Sequence, residues 1–300
     1  MTRIAYLGPE STFTEAALLR MAANGMVPSC RHSPARGRYP HPLAGENPSA
    51  AVTPVPAEST AAALAAVRSH DADFACVPIE NSIEGSVLST LDSLATGTPL
   101  QIFAELTLDV SYTIAVQRGT AAADVATVAA FPVAAAQVRH WLATHLAKAH
   151  LVPANSNAAA AHDVSHGRAD AAVTTALAAA RYGLNALAFD VVDEPDARTR
   201  FVLAGPPGPA PPRTGADRTS VVLRIDNATE ALVSALTELA IRGIDLTRIE
   251  SRPTRTELDT CIFFLDCVGH IEDAAVAEAL MALHRRCADV RYLGSWPTDR

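Results

Sequence analysis

What most constrains this chain is a regular exchange of short apolar strands with helix-forming stretches through its first two-thirds. RIAYL (3–7), DFACVPI, VATVAAF, LVPA and DAAVT each read as a strand, and a helical pattern follows each one. Residues 12–23 form the first predicted helix, opened by Ser11 or Thr12 as N-cap with Glu15 in its first turn. Others are predicted at 57–69, at 86–95, through PVAAAQVRHWLATHL behind Pro132, at NSNAAAAHDVSH, and at TALAAARYG closed by Gly183. Alternation of this kind builds parallel sheets with helices on their faces. It lapses over residues 24–51, where Pro, Gly, Arg and His read as a long surface loop.

LQIFAELTLDV and SYTIAVQ are extended segments before the alternation restarts, and RFVLAG is extended after it. Residues 112–185 therefore read as a second α/β unit inserted into the first. Two lobes joined by two crossing strands leave a cleft, a favoured place for a ligand. The two-lobed domain spans 1–204, and the Pro- and Gly-rich stretch 205–217 is a linker. Residues 218–296 have another pattern: strand, a helix carrying Leu232, Leu236 and Leu239 behind an Asp226 or Asn227 cap, then two strands about a turn near Thr254–Glu257. A second helix with Val276, Leu280 and Leu283 and a last strand complete a βαββαβ ferredoxin-like order.

Composition narrows the function. With 49% apolar and 19% charged residues in 300, the chain can bury a sizeable core. A net charge of −8 without a basic stripe argues against nucleic acid as partner. IAYL is too short for a secretory signal and no run spans a bilayer, so a cytosolic protein with no membrane partner is expected. The five cysteines form no CxxC pair and read as reduced thiols. Neither HExxH, a Walker loop nor GxGxxG is present, so no metal and no nucleotide cofactor are expected.

Polar residues gather where strands end, which is where α/β folds handle ligands. In VPIENS, Glu80 suits a general acid or an acceptor, Asn81 a donor to an oxyanion, and Ser82 a donor or a cap; Asn and Ser equally serve turns. In ARTRF, Thr199 stands between Arg198 and Arg200, and strand alternation puts both arginines on the face opposite Thr199. Gln137 lies one and a half turns inside its Ala-rich helix, GPESTF precedes a helix N-terminus, and ESRP (250–253) closes a strand of the small domain.

In this order, the motifs resemble those of the monofunctional bacterial prephenate dehydratases: GPESTF, VPIENS, the helix from Pro132 to Gln137, TRF (199–201), and ESRP in an ACT domain. The resemblance covers essentially the whole chain, with 24–51 least matched. It implies a two-lobe catalytic domain like a periplasmic binding protein plus a regulatory ACT domain. It implies decarboxylating dehydration of prephenate to phenylpyruvate, driven by aromatisation and needing no cofactor. Thr199 then looks like the catalytic hydroxyl, with Asn81, Gln137 and Glu80 around the substrate; Glu80 would position Thr199, or relay a proton if burial raises its pKa. Ser82, Thr12, Phe13, Arg200 and Phe201 are implied at the substrate. Ala231, Leu232, Val233, Glu250, Ser251, Arg252 and Pro253 are implied at an allosteric L-phenylalanine site, in a homodimer or homotetramer. The chain departs from the family pattern at Ser11 and Glu230, both usually glycine, at Ala130 and Phe131, often Ser-His, and at Ala197, often Asn. A less tight loop is expected at Ser11, and a carboxylate crowding the effector at Glu230. Arogenate dehydration and a non-catalytic amino-acid sensor are the competing readings.

Overall fold

The computed structural model describes residues 1–28, 52–194, 196–225, 230–254 and 261–298. Most of the 24–51 stretch, Cys30, the Asp226 or Asn227 cap and the turn beyond Thr254 lie outside the described residues. Lobe one contains β1 (Thr2–Leu7), α1 (Phe13–Ala23), β2 (Val52–Ala57), α2 (Thr60–Arg68), β3 (Phe74–Asn81), β4 (Gly85–Ser86), α3 (Leu88–Ala95) and β5 (Gln101–Asp109). Lobe two contains β6 (Tyr112–Val116), β7 (Thr127–Ala130), α4 (Pro132–Gln137), α5 (Arg139–His145), β8 (His150–Pro153), α6 (Asn157–Ser165), β9 (Ala171–Thr174), α7 (Ala176–Arg181) and β10 (Asn185–Val191). The chain then returns to lobe one through β11 (Arg198–Gly205).

Lobe one's sheet runs β2-β1-β3-β11-β5, with β4 on β3, and lobe two's runs β10-β6-β9-β7-β8. Both are mixed rather than all-parallel, because β11 lies antiparallel to β3 and β5, and β6 antiparallel to β9 and β10. A bond of 2.7 Å from the Val110 amide to the Ala197 carbonyl ties the two crossings together.

One predicted helix is two. The helix behind Pro132 stops at Gln137 and restarts at Arg139, with Val138 at φ −126° and ψ 15°. Asp193 causes the break. Its amide donates to the Gln137 carbonyl at 2.8 Å, and its carboxylate accepts the His140 and Trp141 amides at 2.9 and 3.3 Å. Gln137 therefore ends a helix instead of lying inside one.

The small domain contains β12 (Asp217–Arg224), α8 (Ala231–Ala240), β13 (Leu246–Pro253), β14 (Cys261–Val268), α9 (Ala274–Arg286) and β15 (Asp289–Pro297), in sheet order β13-β14-β12-β15. Both faces of this sheet are covered. Val221, Leu223, Leu265 and Cys267 pack under the helices. Val222, Ile262, Phe264, Leu293 and Trp296 point the other way and join one core with Leu64, Leu91, Leu94 and Ile102 of lobe one. A buried Trp removes on the order of 200 Å² from water, so this junction is a packed interior. The connecting segment is pinned as well: Gln101 Oε1 accepts the Gly208 amide at 3.1 Å, and the His270 ring lies 3.0 Å from the Pro211 carbonyl.

The junction is closest at Gly294. A Cβ there would stand 2.3 Å from the Ile102 carbonyl oxygen, and φ is +132°. Gly294→Ala is expected to cost about 2 kcal/mol or more of stability, read as a lower urea midpoint. Gly208→Ala, whose Cβ would meet Phe103 at an ordinary 3.8 Å, serves as the control and should change little.

Candidate active site

β3 and β11 set Asn81 opposite Thr199 and Glu80 opposite Arg200. Successive residues of a strand face opposite ways, so this pair splits its polar residues between two surfaces. On the first, Asn81 Nδ2 donates to Thr199 Oγ1 at 2.9 Å. Asn81 Oδ1 accepts the amides of Ile83 and Glu84 at 2.9 and 3.0 Å. Those two backbone donors decide which end of the amide is which, because only the oxygen can accept them. The Thr199 oxygen thus receives a hydrogen bond, leaving its own proton available to another acceptor.

Gln137 meets this surface through Tyr112. The Tyr112 hydroxyl donates to Gln137 Oε1 at 2.8 Å, and the Phe13 ring stands edge-on to Tyr112 with centroids 5.7 Å apart. Burial, and then the nearby charge of Glu84, push the Tyr112 hydroxyl pKa well above its ordinary value. Glu84 belongs to the turn that Asn81 holds. Tyr112 was not singled out in the sequence, since an aromatic at a strand start reads as core; only the fold brings it to Gln137 and Phe13.

The loop before α1 joins the lobes. Thr175 Oγ1 donates to the Ser11 carbonyl at 2.7 Å, and Arg181 pairs with Glu10 and Glu15 at 2.9 and 3.2 Å. Ser11 keeps the left-handed backbone of a glycine, φ 68°, at about 1–2 kcal/mol. It is fully buried, and its amide donates to Glu15. The loop expected to be less tight is therefore held at both ends of this residue. Thr12 caps α1, its hydroxyl donating to the Leu7 carbonyl at 3.2 Å and accepting from the Glu15 amide.

Other implied substrate contacts are placed elsewhere. Phe201 is buried with Ile4, Tyr6 and Leu18, so it serves the core of lobe one. Ser82 zips two chain segments, accepting the Arg198 amide at 2.8 Å and donating to the Asp196 carbonyl at 3.3 Å. Arg200 is on the second surface with Glu80. It bonds Glu80 at 2.7 Å, Glu105 at 3.1 Å and Asp266 of the small domain at 3.1 Å. Its donors are engaged, so it is a clamp between domains rather than a free carboxylate binder. Burial alone would lower the Arg200 pKa, but Asp266, Glu105 and Glu80 hold it above the ordinary value. Burial would likewise raise Asp266, yet Arg248 and Arg200 hold its carboxyl below the usual range.

The ESRP strand is also divided. Arg252 grips Asp92 of α3 through both carboxylate oxygens at 2.8 Å, and Glu250 accepts from Ser86 at 3.1 Å, so both face lobe one. Ser251 pairs with Phe263 on the helix side, the side of Ala231, Leu232 and Val233 on α8. Pro253 shares that side by alternation. Glu230 precedes α8 in a left-handed conformation, φ 71°, with its side chain exposed.

The family described as Prephenate dehydratase matches residues 4–207. The prephenate dehydratase of Mycolicibacterium vanbaalenii is 72% identical over 298 residues, covering 99% of this chain and 92% of that protein. Among solved structures, the prephenate dehydratase of Arthrobacter aurescens in complex with L-Phe is 38% identical with a TM-score of 0.82, over 99% of this chain and 90% of its own. A chain described as GqqA, a novel type of quorum quenching acylase, is 27% identical with a TM-score of 0.80, over 99% of this chain and 98% of its own.

Acid tests the clamp. Because Asp266 titrates below its unfolded value, its stabilisation is complete above about pH 5 and is lost as the pH falls through ~4 and below. Asp266→Asn is expected to be less stable at neutral pH by about 3 kcal/mol. Its urea midpoint should also fall less than the wild type's between pH 6 and pH 3.

Proposed function

The chain belongs to the prephenate dehydratase family, a hydro-lyase converting prephenate to phenylpyruvate, carbon dioxide and water in phenylalanine biosynthesis, and on that premise we propose how its residues divide the work. The observation that carries the proposal is the Asn81–Thr199 hydrogen bond. In the reaction the bond from ring to carboxylate breaks, its electron pair enters the ring, and the ring hydroxyl leaves. The departing oxygen needs a donor as charge gathers on it. Thr199, accepting from Asn81, is assigned that role. A hydroxyl that accepts a hydrogen bond is the stronger donor for it.

Gln137, oriented by Tyr112, and Phe13 are assigned to the substrate's polar and apolar edges. Glu80 is assigned to Arg200 rather than to Thr199, since its carboxylate is bonded there. The fold is shared with the acylase-described chain, so fold alone does not choose the chemistry. The identity to dehydratases and the intact TRF and VPIENS strands favour dehydration. The arogenate alternative differs in the substrate's side chain, and no observation here favours it.

L-phenylalanine is assigned as allosteric effector on the helix side of the small-domain sheet, by Ala231, Leu232, Val233, Ser251 and Pro253. Two supports exist: the L-Phe complex of the Arthrobacter aurescens relative and the exposure of that face. Val233 and Ile249 are 65% and 51% exposed there, which suits cover by a second copy in a homodimer or homotetramer. Glu250 and Arg252 are assigned instead to transmitting the effect, since they touch lobe one. A cytosolic setting is assigned from the biosynthetic activity alone; no described helix is long and apolar enough to cross a membrane.

The test is phenylpyruvate formation from prephenate at neutral pH, titrated with L-phenylalanine. Thr199→Ala is expected to lower kcat by about 10²-fold or more, as loss of one oxyanion donor does. Thr199→Ser should stay within about tenfold, and L-phenylalanine should reduce the wild-type rate. A Thr199→Ala enzyme near wild-type rate would remove Thr199 from the mechanism; a rate indifferent to L-phenylalanine would remove the effector.

A further inference from the structure

On the surface of β3 and β11 turned away from Thr199, a cavity of about 250 Å³ lies between lobe one and the small-domain sheet. Four arginines line it: Arg198 and Arg200 from β11, Arg218 from β12 and Arg248 from β13. Three have carboxylates of their own. Arg198 holds Asp109 at 2.9 Å, Arg200 holds the three described above, and Arg218 Nη1 holds Glu105 at 2.8 Å.

Arg248 differs. Its side chain is 8% exposed, and its nearest carboxylate, Asp266, is 3.7 Å away. Its Nε and Nη1 have no hydrogen-bond partner among the described residues, and neither has Arg218 Nε. Buried charged donors are seldom left so, because each orphan costs about 1–3 kcal/mol. Asp266, the acceptor at hand, bonds Arg200 and stands beyond hydrogen-bond distance of Arg248 Nη1. The cavity's own carboxylates, Glu80 and Asp266, leave Arg248 Nε and Nη1 without a hydrogen bond, and a planar guanidinium fork fits the oxygens of a carboxylate or a phosphate.

We propose that this cavity binds a small oxyanion, carboxylate or phosphate, on Arg248 and Arg218 at the junction of lobe one with the small domain. Both arginines belong to the small domain and the cavity's other wall, with Ser82, Thr107 and Arg198, to lobe one, so a ligand held between them favours the docked arrangement over any looser one. Through Ser82 and Arg200 it lies one residue from Asn81 and from Thr199 along the strands. The site is distinct from the cleft and from the helix-side effector face, and it does not rest on the dehydratase reading.

The experiment is a thermal melt and a calorimetric titration of the full-length protein with inorganic phosphate and with malonate, against sodium chloride at matched ionic strength. Either oxyanion is expected to raise Tm with concentration, as a ligand of the native state does, and to bind once per chain. A response to phosphate alone assigns a phosphate ligand, and one to malonate alone a carboxylate ligand. Arg248→Gln should abolish the response. An equal shift in Arg248→Gln would assign binding to the cleft and overturn the proposal. So would the absence of any oxyanion-specific shift in the wild type, the result expected if a partner subunit fills the cavity. Should Arg248→Gln fail to fold, Arg248→Lys keeps the charge without the fork and should bind at least ~10-fold more weakly; unchanged affinity would overturn the proposal.

Discussion

A β-strand turns alternate residues to opposite sides, and the pairing of β3 with β11 uses both sides for different work. Asn81 and Thr199 form one hydrogen-bonded couple; Glu80 and Arg200, one step along, form an ion pair on the other side. Neither couple can shift register without displacing its neighbour. Because β11 is also the strand that returns from lobe two, the same pairing fixes where the lobes meet.

The ion cluster on the second side is a costly way to join two domains. Arg200, Glu105 and Asp266 are nearly excluded from water, and taking charges from water is repaid only when each finds partners. Breaking such a group by removing one member typically costs about 3–5 kcal/mol, whereas an apolar substitute for the whole can be neutral. Stability alone therefore does not explain why charges are here. Their value lies in specificity: Val222, Phe264 and Trp296 supply area that tolerates sliding, and the Arg200–Asp266 bond sets one docked position. The small domain thereby reaches Arg200, the residue next to Thr199.

Much of this was legible in the sequence. The split of Arg198 and Arg200 from Thr199 follows from period two, and the βαββαβ order follows from pattern alone. What escaped was non-local. Asp193 breaks the Gln137 helix from more than fifty positions downstream, and no window around Pro132 contains that information. Tyr112 lies within the extended segment SYTIAVQ, and only the fold sets it against Gln137. Asp266, a carboxylate inside the apolar run CIFFLDC, was the one local hint of the clamp; its position two after Phe264 puts it on the face toward lobe one. The resemblance implies Glu80 beside Thr199, whereas its carboxylate bonds Arg200, a contact that no local sequence window contains.

Glu80 accordingly offers the most direct test of the division between chemistry and clamp. The measurement is kcat for prephenate in Glu80→Gln, taken beside its urea midpoint. The account predicts kcat within about threefold of wild type with a lower midpoint, the loss of a partly exposed partner of Arg200. A kcat lower by ~10²-fold or more at unchanged stability would put Glu80 in the reaction and contradict the assignment of the two faces.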